Sequence, residues 1–188
     1  MKKFALALSF LSLPFALAPA LTSCNTEPDY IKQQRKVEEE QKKNDDVLIQ
    51  GYLTRNNIKT YNRLPSGVYV LPVTEGNPND PLIKAGNKVT TNYVVKYIIE
   101  TIQGQTLTSS SVNHSACGCY SFFANQATTD APIGLQEAIL TMRKGDRKQV
   151  IIPSPLLGTG TNLTSYYQNA APYNPLLFDI EILDVQQQ

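Results

Sequence analysis

The sequence predicts an α+β domain that follows an N-terminal helix, and three observations carry that prediction. Residues 29–57 are rich in Gln, Lys and Glu and contain no Pro, a composition that favours helix. Leu135, Ala138, Ile139 and Met142 fall at i, i+3, i+4 and i+7 and so line one face of a short second helix over 134–142. Between and after these lie runs of period two. Val89, Thr91, Tyr93, Val95, Tyr97 and Ile99 alternate with more polar neighbours, as do Phe178, Ile180 and Ile182, which is the pattern of half-buried strands.

The elements can be taken in chain order. In the first helix, apolar residues are sparse until Leu48, Ile49, Tyr52 and Leu53, which form an apolar stripe near its end. Sustained heptads are missing, so a monomeric stalk is expected rather than a coiled coil. Arg55-Asn56-Asn57 stops the helix with a cation and helix-poor residues. The cluster Gly76-Asn77-Pro78-Asn79-Asp80-Pro81 is a turn joining the first two strands. Residues 111–119 read as a polar loop and Tyr120 to Ala124 as a short strand. After the second helix, Arg143 and Lys144 complement the helix C-terminus, and Gly145 suits the left-handed cap. Gln149-Val150-Ile151-Ile152 is a strand that its following Pro153 must end. Thr159 to Asn174, with Tyr166 and Tyr167, is a long loop before the final strand. Internal repeats are absent.

The stretch from Ala131 to Gly160, A-P-I-G-L-Q-E-A-I-L-T-M-R-K-G-D-R-K-Q-V-I-I-P-S-P-L-L-G-T-G, resembles the C-terminal half of FKBP-type peptidyl-prolyl isomerases. Further matches lie in the order the family has them: Pro65-Ser66-Gly67-Val68-Tyr69-Val70-Leu71, Ala85 to Tyr93, Gly104 to Ser110, and Pro175 to Val185. The resemblance covers about 65 to 185. It implies an antiparallel sheet of about five strands, curled around one short helix, with a proline side chain bound between them. It also implies catalysis without a metal or cofactor.

Carried over position by position, the resemblance implies a groove formed by Tyr93, Leu107, one of Phe122 and Phe123, Ala131 and Pro132 (or Ile133, if the register slips by one), Leu135, Leu157 and Phe178. Adjacent strand residues face opposite ways, so only one of Phe122 and Phe123 can line it. Several positions depart from the family. Leu135 stands where it has tryptophan, Leu107 where it has phenylalanine, Thr108 where it has aspartate, and Leu157 where it has tyrosine. Pro132 removes a backbone N–H that the family offers to substrate. The groove keeps its apolar character and loses polar handles. Each lost substrate hydrogen bond costs about 0.5–1.5 kcal/mol, so weak turnover is expected. The expected function is prolyl isomerisation of exported proteins. The alternative is a non-catalytic polypeptide-binding module on the same fold.

The N-terminus has its own pattern. Met1-Lys2-Lys3 is a positive segment, and Phe4 to Leu17 an apolar run too short for a comfortable membrane span. Leu21-Thr22-Ser23-Cys24 then resembles the bacterial lipobox, which implies cleavage before Cys24 and lipidation of Cys24. The expected division is a signal peptide over 1–23, a lipidated spacer and helical stalk over 24–60, and the isomerase-like domain over 61–188. The expected location is the cell envelope, anchored to the periplasmic side of the outer membrane. Of 17 basic residues, loss of Lys2 and Lys3 leaves 15 against 16 acidic ones, so nucleic acid is not an expected partner. Proline-containing polypeptides and the membrane are. Cys117 and Cys119 remain, near the single histidine His114. They read as a disulfide, as ordinary thiols, or with His114 as an incomplete soft-metal site.

Overall fold

The structure, a computed structural model, describes residues 27–110, 114, 117–126, 131–158 and 173–187. Cys24, the segment before it, and the loop tyrosines Tyr166 and Tyr167 lie outside these residues. The elements run α1 (Asp29–Arg55), β1 (Asn62–Arg63), β2 (Tyr69–Thr74), β3 (Lys88–Tyr97), β4 (Thr106–Ser109), β5 (Tyr120–Phe123), α2 (Ile133–Ile139), β6 (Arg147–Ile152) and β7 (Leu176–Gln186).

The strands form one seven-stranded antiparallel sheet in the order β1-β2-β6-β7-β3-β4, with β5 also paired to β3. The count exceeds the expected five because the free edge of β3 is shared by two short strands. β5 pairs with residues 88–91 of β3 and β4 with residues 94–96. The two-residue β1 adds the seventh strand at the other edge.

The sheet is buried on both faces. On one side Val68, Val70, Val89, Val95, Val150, Ile152, Phe178, Ile180 and Ile182 pack with Leu135, Ala138, Ile139 and Met142 of the α2 region. α2 lies unusually close to the sheet at Gly134, where a Cβ would sit 2.6 Å from Ile152 Cγ2 and 3.1 Å from Val68 Cγ2. The helix stops at Ile139, a turn earlier than its apolar spacing predicts. Thr141 donates its hydroxyl to the Ala138 carbonyl at 2.7 Å, and Met142 reaches the core from a turn. The corner that follows is held by the buried Asp146, which accepts the N–H groups of Gly76 at 2.7 Å and Arg143 at 2.8 Å.

On the other side Tyr69, Leu71, Ile98, Ile151 and Leu177 pack with Ile49 and Leu53 of α1, with Tyr52 and Ile58 against them. The second half of α1 is thus a layer over the sheet. Within the predicted stripe Leu48 is the exception: it faces outward at 37% exposure. The residue that extends the buried row is Asp45, four before Ile49 and fully buried. Its Oδ2 accepts the Ser154 N–H at 2.6 Å, and its Oδ1 accepts Gln41 Nε2 at 2.8 Å. This ties α1 to the turn after β6. No helix among the described residues is long and apolar enough to cross a membrane.

Two predictions follow from the α1 layer. Ile49→Ala leaves a cavity under a fully buried side chain and is expected to cost about 2–5 kcal/mol in denaturant unfolding. Burial pushes the Asp45 carboxyl above its ordinary range, against the lowering by Ser154 and Gln41. The folded protein therefore keeps this proton where the unfolded chain has lost it. The stability from this group is expected to fall as pH rises from about 4 through the raised folded value. Thermal unfolding across that range should show the decline in wild type and lose it in Asp45→Asn, which still offers an acceptor to Ser154. Asp45→Ala, which strips the acceptor, is expected to lose about 1–3 kcal/mol near pH 4, a deficit that narrows as pH rises.

Candidate active site

On the α2 side of the sheet, beside the aliphatic core, the rings of β3 and β5 meet in one aromatic group. Tyr93 of β3 meets Tyr120 of β5 edge-on, with ring centroids 5.4 Å apart at 81°. Tyr120 in turn stacks on Phe122, centroids 5.5 Å apart at 29°. Such offset and edge-to-face pairs are the favoured aromatic geometries. Alternation along β5 explains the choice between the two phenylalanines. Phe122 is buried on the α2 side with Tyr120, and Phe123 turns outward at 37% exposure.

The floor comes from four elements. Leu135 on α2, Leu157 just after β6 and Phe178 on β7 are all buried, and Ala131 before α2 joins them. Tyr93, Tyr97, Leu107 and Tyr120 pack against the core cluster that holds these four residues while staying partly exposed, so they form the rim. The structure thus brings Tyr93, Phe122, Leu135, Leu157 and Phe178 into one cluster. Ile133, the first residue of α2, is 45% exposed and stands apart from it. Tyr120 is the rim residue that sequence reasoning missed. The signal was present: it lies two residues before Phe122, and period two puts both on the same face.

The backbone at the rim is largely committed. Tyr93 donates its N–H to Ser110 Oγ at 2.8 Å and accepts the Ser110 N–H at 3.0 Å, which fixes the end of β4 beside it. Ile133 donates its N–H to the Gly158 carbonyl at 2.8 Å, and Pro132 before it has none to give. The groove residues include no carboxylate, amine or imidazole. The charged network lies on the opposite face of β7. There Arg147 forks onto Asp179 through two 2.8 Å bonds, and the bond to Asp179 raises the Arg147 pKa. His114 lies over the same spot, Nε2 3.4 Å from Asp179 Oδ1 and Nδ1 3.2 Å from Glu181 Oε2. Among the described residues no group of three His, Cys, Asp or Glu is placed to hold a metal.

The partly exposed rings of Tyr93 and Tyr120 offer an apolar, aromatic surface to which a flat, weakly polar ring can bind.

No family model matches the sequence, and no curated protein matches it significantly. Solved structures do match. A peptidyl-prolyl cis-trans isomerase from Pseudomonas syringae pv. tomato is 20% identical with a TM-score of 0.53, the match covering 79% of this chain and 96% of that one. FkpA from Escherichia coli is 21% identical with a TM-score of 0.54, over 84% of this chain and 67% of that one. The antiparallel sheet packed on α2 and these two likenesses together identify the fold of this chain as that of the FKBP-type peptidyl-prolyl isomerases.

Proposed function

We propose that this protein is a peptidyl-prolyl cis-trans isomerase that acts on proline-containing polypeptides of the cell envelope. The observation that carries the reading is the aromatic cluster, in which the partly exposed Tyr93 and Tyr120 pack against the core that holds Leu135, Leu157 and Phe178. Rotation about an X-Pro bond crosses a barrier of about 20 kcal/mol because the planar amide is stabilised by resonance. The twisted amide has a less polar carbonyl and a more basic nitrogen. A dry aromatic wall disfavours the polar planar form relative to the twisted one, which is the differential stabilisation catalysis requires. The proline ring sits on Leu135 and Phe178, and the rim tyrosines close over it.

Envelope location rests on the lipobox-like Leu21-Thr22-Ser23-Cys24, with Cys24 acylated and α1 spacing the domain from the membrane. A second reading, a polypeptide holdase on the same fold, is favoured by one observation. Pro132 has no N–H and the Ile133 N–H is already bonded, so the edge of α2 has no backbone donor at these two positions for a substrate carbonyl.

A protease-coupled assay on a short X-Pro peptide decides between them. Isomerase activity above the uncatalysed rate is expected, falling about tenfold or more in Tyr93→Ala and Tyr120→Ala while circular dichroism stays native. Peptide binding with no rate enhancement would leave the holdase. For the anchor, wild type is expected to partition into detergent after processing. Cys24→Ala should accumulate as the longer precursor on a gel; normal processing and membrane recovery of that variant would remove the lipid anchor from the account.

A further inference from the structure

The β4–β5 connection carries chemistry that prolyl isomerisation does not use. Cys117 and Cys119 are both exposed and are joined by a disulfide across a single glycine, with their Cα atoms 5.0 Å apart. The glycine is obligatory, because a Cβ on Gly118 would collide with the Ser110 carbonyl. Ser110 is the residue bonded twice to the backbone of Tyr93, and Gly118 donates its own N–H to Asn92 Oδ1 at 3.1 Å. Cys119 directly precedes Tyr120. The disulfide is therefore braced on β3 at Asn92 and Tyr93, one residue from the aromatic rim.

Two features set this pair apart from a structural crosslink. It closes a loop of three residues, which restricts the unfolded chain only about half as much as a loop of fifteen would. Cys119 also adopts φ +36, a left-handed backbone that residues with a side chain seldom take. Exposed and strained disulfides are the ones that exchange with outside thiols.

We propose that Cys117–Cys119 is a redox-active disulfide whose substrates are the cysteine thiols of extended polypeptides. The exchange chemistry stands apart from the isomerase reading; the choice of a polypeptide as substrate rests on it. A substrate thiolate attacks one sulfur of the pair. The Cys117–Cys119 bond breaks, a mixed disulfide forms, and the other cysteine leaves as thiolate and takes up a proton. A second substrate thiolate then attacks the substrate sulfur of the mixed disulfide, forming the substrate disulfide and releasing the second cysteine, which is protonated in turn. Two electrons pass from substrate to the pair, and the two protons shed by the substrate thiols are matched by those taken up. A small disulfide such as glutathione disulfide restores the pair by the reverse exchange and leaves as two thiols. His114 is not the base for these steps: its ring is 5% exposed and faces Asp179 and Glu181.

The test uses the full chain carrying Cys24→Ser, so that Cys117 and Cys119 are its only cysteines. The probe is a reduced synthetic peptide with two cysteines flanking an X-Pro bond, supplied with glutathione disulfide. Peptide oxidation at least about tenfold faster than with glutathione disulfide alone is expected. It should return to background in Cys117→Ser/Cys119→Ser, and Cys119→Ser should trap a mixed disulfide at Cys117 in mass mapping. Background-rate oxidation by the protein with its pair intact overturns the proposal. So does a pair that stays oxidised, by mapping, in a hundredfold excess of reduced peptide, a measurement that needs no cysteine substitution in the loop. Isomerisation of the same peptide with blocked cysteines is scored separately, so an inert disulfide and an inactive groove give different results.

Discussion

Phe178, Ile180 and Ile182 of β7 face α2, while Leu177 and Asp179 face the other way, and this two-sided burial of one strand governs where every other layer lies. A strand buried on both faces needs partners on both edges and cover on both sides, since neither its side chains nor its backbone groups meet water. β6 and β3 satisfy its edges. α2 covers the first face and the second half of α1 the other. The one buried charged residue of β7, Asp179, is matched by the fork of Arg147. Unpaired, that carboxylate would be among the costliest groups in the molecule.

The same constraint separates the chemistry into compartments. As far as Ile182, residues of one parity along β7 are apolar and face α2, while Asp179 and Glu181 of the other parity face Arg147 and His114. A groove that works by excluding water gains from having its strand's charges on the far side of the sheet. The β4–β5 connection is the element that touches both: Ser110 is bonded to Tyr93 at the rim, and His114 rests on Asp179 and Glu181 behind the sheet.

How much of this was legible in the sequence depended on whether a residue's partner was close in sequence or period. α1, β5, β6 and β7 were readable because helix composition and alternation are local signals. The alternation in β3 pointed to a strand with one wet face. Asn92, Val94 and Ile98 are nevertheless buried on that face, because α1 and the β4–β5 connection cover it, and no local pattern records a covering layer. Asp45 was invisible for the same reason: in a run of charged residues nothing distinguishes the one whose partner is Ser154, more than a hundred positions away. Within the cleft, Tyr93, Leu135, Leu157 and Phe178 were found through family resemblance. Tyr120 was passed over although its spacing from Phe122 marked it. The expected signal segment, Cys24 and the tyrosines at 166 and 167 lie outside the described residues.

The middle strand of the sheet is also the last of the described strands in chain order. Among the described strands, β1, β2 and β6 form one set and β3, β4 and β5 another, and β7 alone joins them. Until Leu176–Gln186 leaves the ribosome, the two sets have no shared hydrogen bonds and the facing edges of β3 and β6 stand open. Pairings this distant in sequence close late and slowly. A nascent chain of this protein is therefore a tethered, half-built sheet until β7 emerges. A message truncated before Leu176 would yield a product with two long unpaired edges, which is the form of a β-protein most prone to aggregate.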